Sequence, residues 1–506
     1  MLSDQTPLPL HTKLAFGVGA VGEWVYLGMF NTFIGIFYNQ ALGLPNTLIG
    51  AAILIALIGD AISDPTVGVV SDQWRSKWGR RHPFLFAAPL PLAITLWCVF
   101  NPPEAFTLRD GTEFELSHWP LFIWLVAWTT LSRLCVTLYT IPHLALGGEL
   151  ARSQYERSQL FSINAMFSYA SGAVFGFSAW TMLSGTTTNA DGQEVANHLI
   201  ASSYVSLSLV TCLVIFFCVL LCAYGTFARG RALSQPSDRV EPINLLHLLT
   251  KIIGTLKNRN YAMLLFGFLF FMISSSLFET FNVFVNTYYW ELAADQIRWI
   301  GLAGLPGVIL GASVAPGLMQ RFDRKPVLTA AVIGLVVFAQ LVIDLRLLGI
   351  MPANNSSALL PILMANSFFF ATTLGMAGVA VLSMIGDVID ENELITGLRE
   401  EGLFYSARAF FAKLANSAGH FIAGMMLDWF IVIPIDAVPG EVDSDVIFRL
   451  GIAAGPFMAI AGVISIFFYA QYSLTRERHT DIMRDLASSN RLNQQKNEQA
   501  LTEQFH

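Results

Sequence analysis

The sequence predicts an all-α polytopic membrane protein of twelve transmembrane helices, arranged as two pseudo-symmetric bundles of six. Three observations carry this. Of 506 residues, 54% are hydrophobic and 13% charged, with a mean hydropathy of +0.56; a soluble domain carries about 25% charged residues. Apolar runs of about 20 residues recur along the chain, each long enough to cross a bilayer as a helix. Basic residues concentrate in alternate loops, and the loops of the two halves echo one another.

Taken in order, the spans are predicted at 14–41, 46–71, 83–101, 119–150, 159–184, 200–227, 261–290, 297–320, 326–349, 357–388, 403–432 and 447–474. Several exceed the minimum crossing length, which tilt or extension past the lipid accommodates. Pro65 and Pro142 are expected to bend spans 2 and 4, because proline removes an intrahelical hydrogen bond. Residues 1–13 are polar and the first apolar run is too long for a cleavable signal peptide.

Lys and Arg set the orientation. The loop after span 2 holds Arg75, Lys77, Arg80 and Arg81, and the loop after span 4 holds Arg152 and Arg157. The connection after span 6 holds Arg229, Arg231, Arg239, Lys251, Lys257 and Arg259, and the loop after span 8 holds Arg321, Arg324 and Lys325. The opposite loops carry isolated cases only, Arg109, Arg298 and Arg346. Both termini are therefore expected in the cytoplasm, in a multi-pass protein of the cytoplasmic (inner) or plasma membrane. Asn354 and Asn355 form glycosylation sequons on an outer loop, relevant only to a eukaryotic source.

Residues 1–227 are read as an N-terminal six-helix bundle, 228–260 as a cytoplasmic linker, 261–474 as a C-terminal six-helix bundle, and 475–506 as a solvated or fraying cytoplasmic tail. The repeat is visible in Ser71-Asp72…Arg75…Arg80-Arg81 after span 2 against Arg321-Phe322-Asp323-Arg324-Lys325 after span 8. It recurs in Gly148-Glu149…Arg157 after span 4 against Gly386-Asp387…Arg399 after span 10. Such correspondence suggests a 6+6 parallel repeat. These acids and arginines are candidate gating residues, as ion-paired latches between helix ends; they also serve as topology signals, and the two roles are compatible.

The residues most informative about function are charges at depth. Asp60 and Asp64 lie four apart in an apolar run, on one helix face and about 5–6 Å apart at Cβ. A carboxylate at mid-bilayer costs about 2.5–3.5 kcal/mol or more and usually faces a bundle interior or water-filled cavity. Asp60 and Lys413 each sit about 15–17 Å from the cytoplasmic ends of spans 2 and 11, near the midplane. Glu23 is at similar depth and Thr137 somewhat deeper. Asp60, Asp64 and Thr137 offer oxygens, which suit a hard monovalent cation such as Na⁺ or Li⁺. The same carboxylates serve equally for H⁺, because burial and mutual repulsion raise a pKa. Lys413 is the expected charge partner. Arg133, Glu279, Asn366 and His420 are further polar residues within spans, and either line a cavity or make interhelical contacts. Substrate-cavity candidates are Glu23, Trp24, Tyr139, Thr140, Asn282, Asn286 and Tyr405, although aromatics on membrane helices are more often packing residues.

The five cysteines lie in apolar runs with no CxxC, against a disulfide or metal framework. No P-loop, HExxH or GxSxG pattern is present, which argues against an enzyme and against an ATP-driven motor within this chain. No cofactor is expected. The partners expected are a small-molecule solute, a monovalent cation or proton, and the lipid bilayer; no nucleic acid is expected, and the chain is expected to be a monomer.

Gly59-Asp60-Ala61-Ile62-Ser63-Asp64-Pro65, followed by Arg75-Ser76-Lys77-Trp78-Gly79-Arg80-Arg81-His82-Pro83-Phe84, resembles the glycoside–pentoside–hexuronide:cation symporters, the melibiose-permease branch of the major facilitator superfamily. Lys13-Leu14…Gly17…Gly19…Gly22, Ile141-Pro142, Glu156-Arg157 and Gly386-Asp387-Val388-Ile389-Asp390 extend the resemblance over nearly the whole chain. It implies alternating access between two six-helix domains, with downhill cation entry driving solute uptake. The family's cation carboxylates fall on Asp60 and Asp64, its helix 4 threonine on Thr137 and its helix 11 lysine on Lys413. The sugar site is less well kept. The aspartates of sugar-transporting members fall on Trp24, beside Glu23, and on Thr140; a tryptophan falls on Leu144 and an arginine near Ala165. The leading reading is a cation-coupled symporter of a sugar, glycoside or similar small solute. The alternatives are the same machinery moving a lysophospholipid or other amphiphile, and a non-transporting membrane sensor or scaffold.

Overall fold

The computed structural model describes residues 8–103, 118–151, 154–188, 194–233, 250, 253–397, 401–435, 437–486 and 488. Ten helices among them are long and apolar enough to cross a membrane. Span 1 is Leu10–Ile36, continued by a π turn at Phe37–Ala41; span 2 is Asn46–Gln73. Span 3 is broken into His82–Ala87 and Pro89–Phe100, where Pro89 restarts the helix. Spans 4, 5 and 6 are His118–Leu150, Gln154–Met182 and Ser203–Arg231, with a short hairpin pairing Thr186–Thr188 with Glu194–Ala196 between the last two.

Span 7 is Arg259–Phe284, closed by a π turn at Val285–Tyr289 in the position matching that of span 1. Spans 8, 9 and 10 are Ala294–Phe322, Arg324–Leu347 and Leu359–Thr396. Span 11 is Glu401–Met426 with a π turn at Leu427–Ile431. Span 12 is Ser444–Ile452 and Met458–Ala470, joined through a π turn. The helices run through Pro65 and Pro142.

Packing repeats between the first six spans and the last six. Span 2 packs on 4 as 8 packs on 10; 1 packs on 5 and 6 as 7 packs on 11 and 12; and 3 packs on 6 as 9 packs on 12. The two sets meet along span 2 against 11 and span 5 against 8, which are exchanged equivalents. We call the end bearing Arg80, Arg81 and Arg324 the arginine end, and the other the far end.

The two ends differ. One hydrophobic core runs through the first six spans and continues across the far end into Phe281, Tyr288, Trp290, Ala423 and Leu450 of the last six. At the arginine end the last six spans have a core of their own, around Tyr261, Leu328, Met384 and Phe404. Gly50 and Gly424 let spans 2 and 11 touch at the far end: a Cβ on Gly50 would lie 2.7 Å from Phe421 Cα, and one on Gly424 2.4 Å from the Asn46 carbonyl oxygen.

The first part of the tail corrects the sequence reading. Residues 476–486 are helical, and Ile482 is 1% exposed within the core of the last six spans. Arg476 donates through its backbone N–H to Asp323 Oδ2 at 3.0 Å and through its guanidinium to the Met319 carbonyl. An amphipathic segment with few apolar residues docks because those few share one face.

Candidate functional site

The charges at depth meet where span 2 faces span 11. Asp60 and Asp64 project from successive turns of span 2, and Thr137 and Arg133 from successive turns of span 4, which packs on it. Lys413 reaches across from span 11. Its ammonium donates to Asp64 Oδ2 and lies 3.4 Å from Asp60 Oδ2. Thr137 Oγ1 donates to Asp64 Oδ1 at 2.8 Å, and Arg133 Nη1 donates to Asp60 Oδ2 at 2.7 Å. Two carboxylates are thus matched by two side-chain cations, and each charge of the cluster has a partner, as burial requires.

The cluster is graded. The side chains of Asp60 and Arg133 are 4% and 15% exposed, those of Asp64 and Lys413 26% and 37%. The first pair is sealed among spans 1, 2 and 4, with the Arg133 guanidinium 5.5 Å over the ring of buried Phe30. The second pair faces open space. Glu23 on span 1 is half-buried and near enough to Lys413 to feel its charge.

Other candidates divide. Thr140 is half-buried and Tyr405 is exposed near the arginine end of span 11. Trp24 is half-buried and packs its ring 5.6 Å from Tyr169 of span 5. Tyr139 is a correction: it is fully buried, stacked at 5.1 Å on His143 and pressed against Gly19, so it packs spans 1, 4 and 6 together. Asn286 is a second correction. It is 5% exposed inside the π turn that ends span 7, and donates to Asn282 Oδ1 at 3.3 Å.

A cavity of about 20 Å³ lies towards the far end, lined by Asn31, Thr32, Asn46, Glu279, Thr280 and His420. His420 and Thr280 are in hydrogen-bond contact at 2.7 Å, with Glu279 at 3.9 Å from the imidazole. Above it the far end is closed. Asp428 on span 11 accepts from Asn46 N and Nδ2 at 3.0 Å and from Thr47 N at 2.6 Å. Tyr288 donates to Gln40 Oε1 at 2.7 Å, joining the two π turns. His198 Nε2 lies 3.3 Å from Thr287 Oγ1, and Arg298 donates to Thr181 Oγ1 at 3.3 Å.

At the arginine end the acids and arginines pair within each set of six. Glu149 accepts from Arg80 Nε at 3.0 Å and from Arg81 Nε at 2.9 Å, and Arg81 also reaches Asp72 and, at 2.6 Å, Ser71. Arg324 pairs with Asp387 at 2.6 Å, and His479 lies 3.6 Å from the same carboxylate and 3.0 Å from Asp390. Asp323 caps span 9 by accepting from Arg324 N at 2.6 Å. Arg157 donates to the Gly148 carbonyl at 3.3 Å, and Arg75 is exposed. Arg399 lies outside the described residues. Asp428, His198 and Gln40 went unread in the sequence, and Arg133 was seen only as one polar residue among several.

Comparison with known proteins agrees with this architecture. Residues 15–476 match the family described as MFS/sugar transport protein. An uncharacterised symporter of Synechocystis is 25% identical, over 94% of this chain and 96% of that protein. A putative sulfoquinovose importer of Salmonella typhimurium is 23% identical, over 95% and 93%. A putative glycoside/cation symporter of Escherichia coli is 23% identical, over 95% of each. Among solved structures, a D-xylose–proton symporter superposes with a TM-score of 0.60 at 14% identity, covering 91% of this chain and 97% of that one.

Proposed function

The chain belongs to the MFS/sugar transport protein family, and from that premise we propose that it is a cation-coupled symporter of a sugar, glycoside or similar small polar solute. The observation that carries the reading is Lys413 held between Asp60 and Asp64 at the seam of the two six-span sets. This is where a coupling ion can be sensed by both moving parts. Charged residues kept at depth usually mark ion pathways.

In this reading residues 1–227 and 261–474 rock against one another about the cluster, and the arginine end faces the cytoplasm, following the basic loops. Asp428, Tyr288 and His198 close the far end, which supports reading this arrangement as an inward-facing or occluded stage. The coupling ion, Na⁺, Li⁺ or H⁺, enters at Asp64, the partly exposed carboxylate of the site, with the buried Thr137 hydroxyl behind it. Its arrival displaces Lys413, and the freed ammonium is drawn towards Glu23. Solute binds beside that pair, against Glu23 and Thr140, with Trp24 as a wall, and Tyr405 lies on its route towards the arginine end. The relatives named as importers and symporters of glycosides and of sulfoquinovose support a sugar-type solute.

An apolar groove of about 370 Å³ runs between spans 1, 5 and 6, lined by Val21, Val25, Phe167, Val174 and Leu207 among others. None of its lining belongs to the charge cluster, so it offers no coupling route for an amphiphile.

The test is uptake into proteoliposomes under imposed Na⁺, Li⁺ or pH gradients, with a panel of glycosides and lysolipids. The proposal expects one sugar-type solute to accumulate under one gradient and to stop doing so in Asp64→Cys. Accumulation of lysolipids alone, or undiminished accumulation in Asp64→Cys, overturns it.

A further inference from the structure

The cluster at the seam is electrically complete without any ion. Asp60 and Asp64 contribute two negative charges, Arg133 and Lys413 two positive ones, all within hydrogen-bonding or ion-pair distance. A cation arriving at these two carboxylates would meet the two cations already paired with them, a repulsion that is costly in a buried site. Entry therefore requires a resident cation to leave, and the two residents differ in their freedom to do so.

Lys413 has a flexible stem, a 37% exposed side chain and a second acid, Glu23, in electrostatic range. Arg133 is less exposed, at 15%, and is held by its contacts. Its Nη1 is fixed on Asp60 at 2.7 Å, its guanidinium lies over Phe30, its Nε is buried, and its partner Asp60 is 4% exposed. The planar guanidinium is also permanently charged. Arg133 thus sits on Asp60 as an ion would, but cannot exchange.

We propose that Arg133 is a tethered cation that determines ion specificity by occupying the Asp60 half of the site, leaving Asp64 and Thr137 as the exchangeable half. This rests on the cation-symport reading. It predicts that the wild-type protein holds Na⁺ and Li⁺ weakly, because one ion must compete with Lys413 for a single carboxylate. Removing the charge at position 133 opens the second carboxylate and leaves the set one positive charge short, which a small hard cation bound by carboxylate oxygens can supply.

The experiment is a titration of the purified full-length protein with NaCl and LiCl against KCl, read as thermal stabilisation. In Arg133→Gln the half-saturating Na⁺ or Li⁺ concentration is expected to fall by about tenfold or more. Arg133→Lys, which keeps the charge, is expected to titrate like wild type. Asp60→Asn combined with Arg133→Gln, which removes both charges, is expected to lose the gain. A folded Arg133→Gln with a half-saturating concentration equal to or above that of wild type overturns the proposal, as does an Arg133→Lys that gains sensitivity. Should Arg133→Gln fail to fold, Arg133→Ala purified with guanidinium restores the tenant as a free ion. Competition between Na⁺ and guanidinium then supports the proposal, and independent effects overturn it. These titrations need no cargo. A wild-type protein that moves no solute under any gradient would sink the symport reading and leave the ion competition still readable.

Discussion

Asp428 accepts two hydrogen bonds from Asn46, 382 residues away in the chain, through one carboxylate oxygen at 3.0 Å from both its backbone and side-chain nitrogens. Its second oxygen takes the N–H of Thr47 at 2.6 Å. Span 2 begins at Asn46 with no side-chain cap of its own, so the last six spans supply the cap that the first six lack. A carboxylate at a helix N-terminus satisfies orphan N–H groups and the positive end of the helix dipole together. Parting spans 2 and 11 at the far end would break these bonds, so they act as a latch on the closed arrangement.

Asp428→Asn is therefore expected to weaken far-end closure by about 1–2 kcal/mol, a shift of about 5–30-fold in the balance of states. A reporter cysteine in place of Thr32, which lines the small cavity beneath the latch, measures it in a background lacking the five native cysteines. The labelling rate by an impermeant thiol reagent applied from the far side should rise accordingly. An unchanged rate shows that Asp428 does not hold the gate.

The two aspartates of span 2 are expected to fail in different ways. Asp64→Asn takes the main partner from Lys413 but leaves Arg133 paired, so it should fold, reach the membrane and lose gradient-driven accumulation. Asp60→Asn leaves Arg133 buried without a counter-charge, a loss of about 3–5 kcal/mol. It should show a lowered melting temperature and poor yield as well as lost transport. Melting and accumulation measured side by side separate the two; identical behaviour refutes the graded arrangement.

The sequence made the charge cluster legible because burying charge is expensive wherever it occurs, and helix rise converts position into depth. Asp60, Asp64, Thr137 and Lys413 converge in the structure for that reason. Arg133 was visible at the same depth, but its partner was not, since only the packing of span 4 on span 2 brings it to Asp60. The far-end closure was illegible for another reason. Asn46, Gln40, His198 and Asp428 sit at helix ends, where polar residues ordinarily meet water, and their partners come from the opposite set of spans. Tyr139 looked like a cavity residue until the small size of Gly19 on span 1 made room for its ring. Asn286 is buried in the π turn that closes span 7, and a π turn leaves no distinctive sequence mark.

Among the described residues Glu149 is the carboxylate that holds both Arg80 and Arg81, and Arg81 is 5% exposed. Glu149→Gln should cost about 3–5 kcal/mol because it leaves a buried guanidinium with Asp72, itself half-exposed, as its remaining acid. Arg80→Ala should cost under about 1 kcal/mol, since that arginine is 25% exposed and solvent screens the pair. Thermal unfolding of the two variants checks the order. Equal losses would mean that the network is shared evenly and that burial of Arg81 is not what makes it matter.

Far-end closure is also expected to depend on pH, through His198. The imidazole is 1% exposed between the two sets of spans, its Nε2 facing Thr287, its Nδ1 buried without a partner among the described residues and its ring edge-on to Trp180 at 5.6 Å. Burial pushes its pKa down from 6.5 to about 4. When the far end opens, the ring meets water and regains its ordinary value, so the open state takes up a proton that the closed state refuses. Above about pH 6.5 both states hold neutral imidazole and closure has its full strength. As pH falls from about 6.5 towards about 4, closure weakens by about 1.4 kcal/mol per pH unit, a factor of about ten. The Thr32→Cys reporter, its rate corrected for thiol ionisation, should label progressively faster across that window. His198→Gln keeps a polar side chain without the titration and should flatten the response. The same slope in that variant would assign the effect to another group.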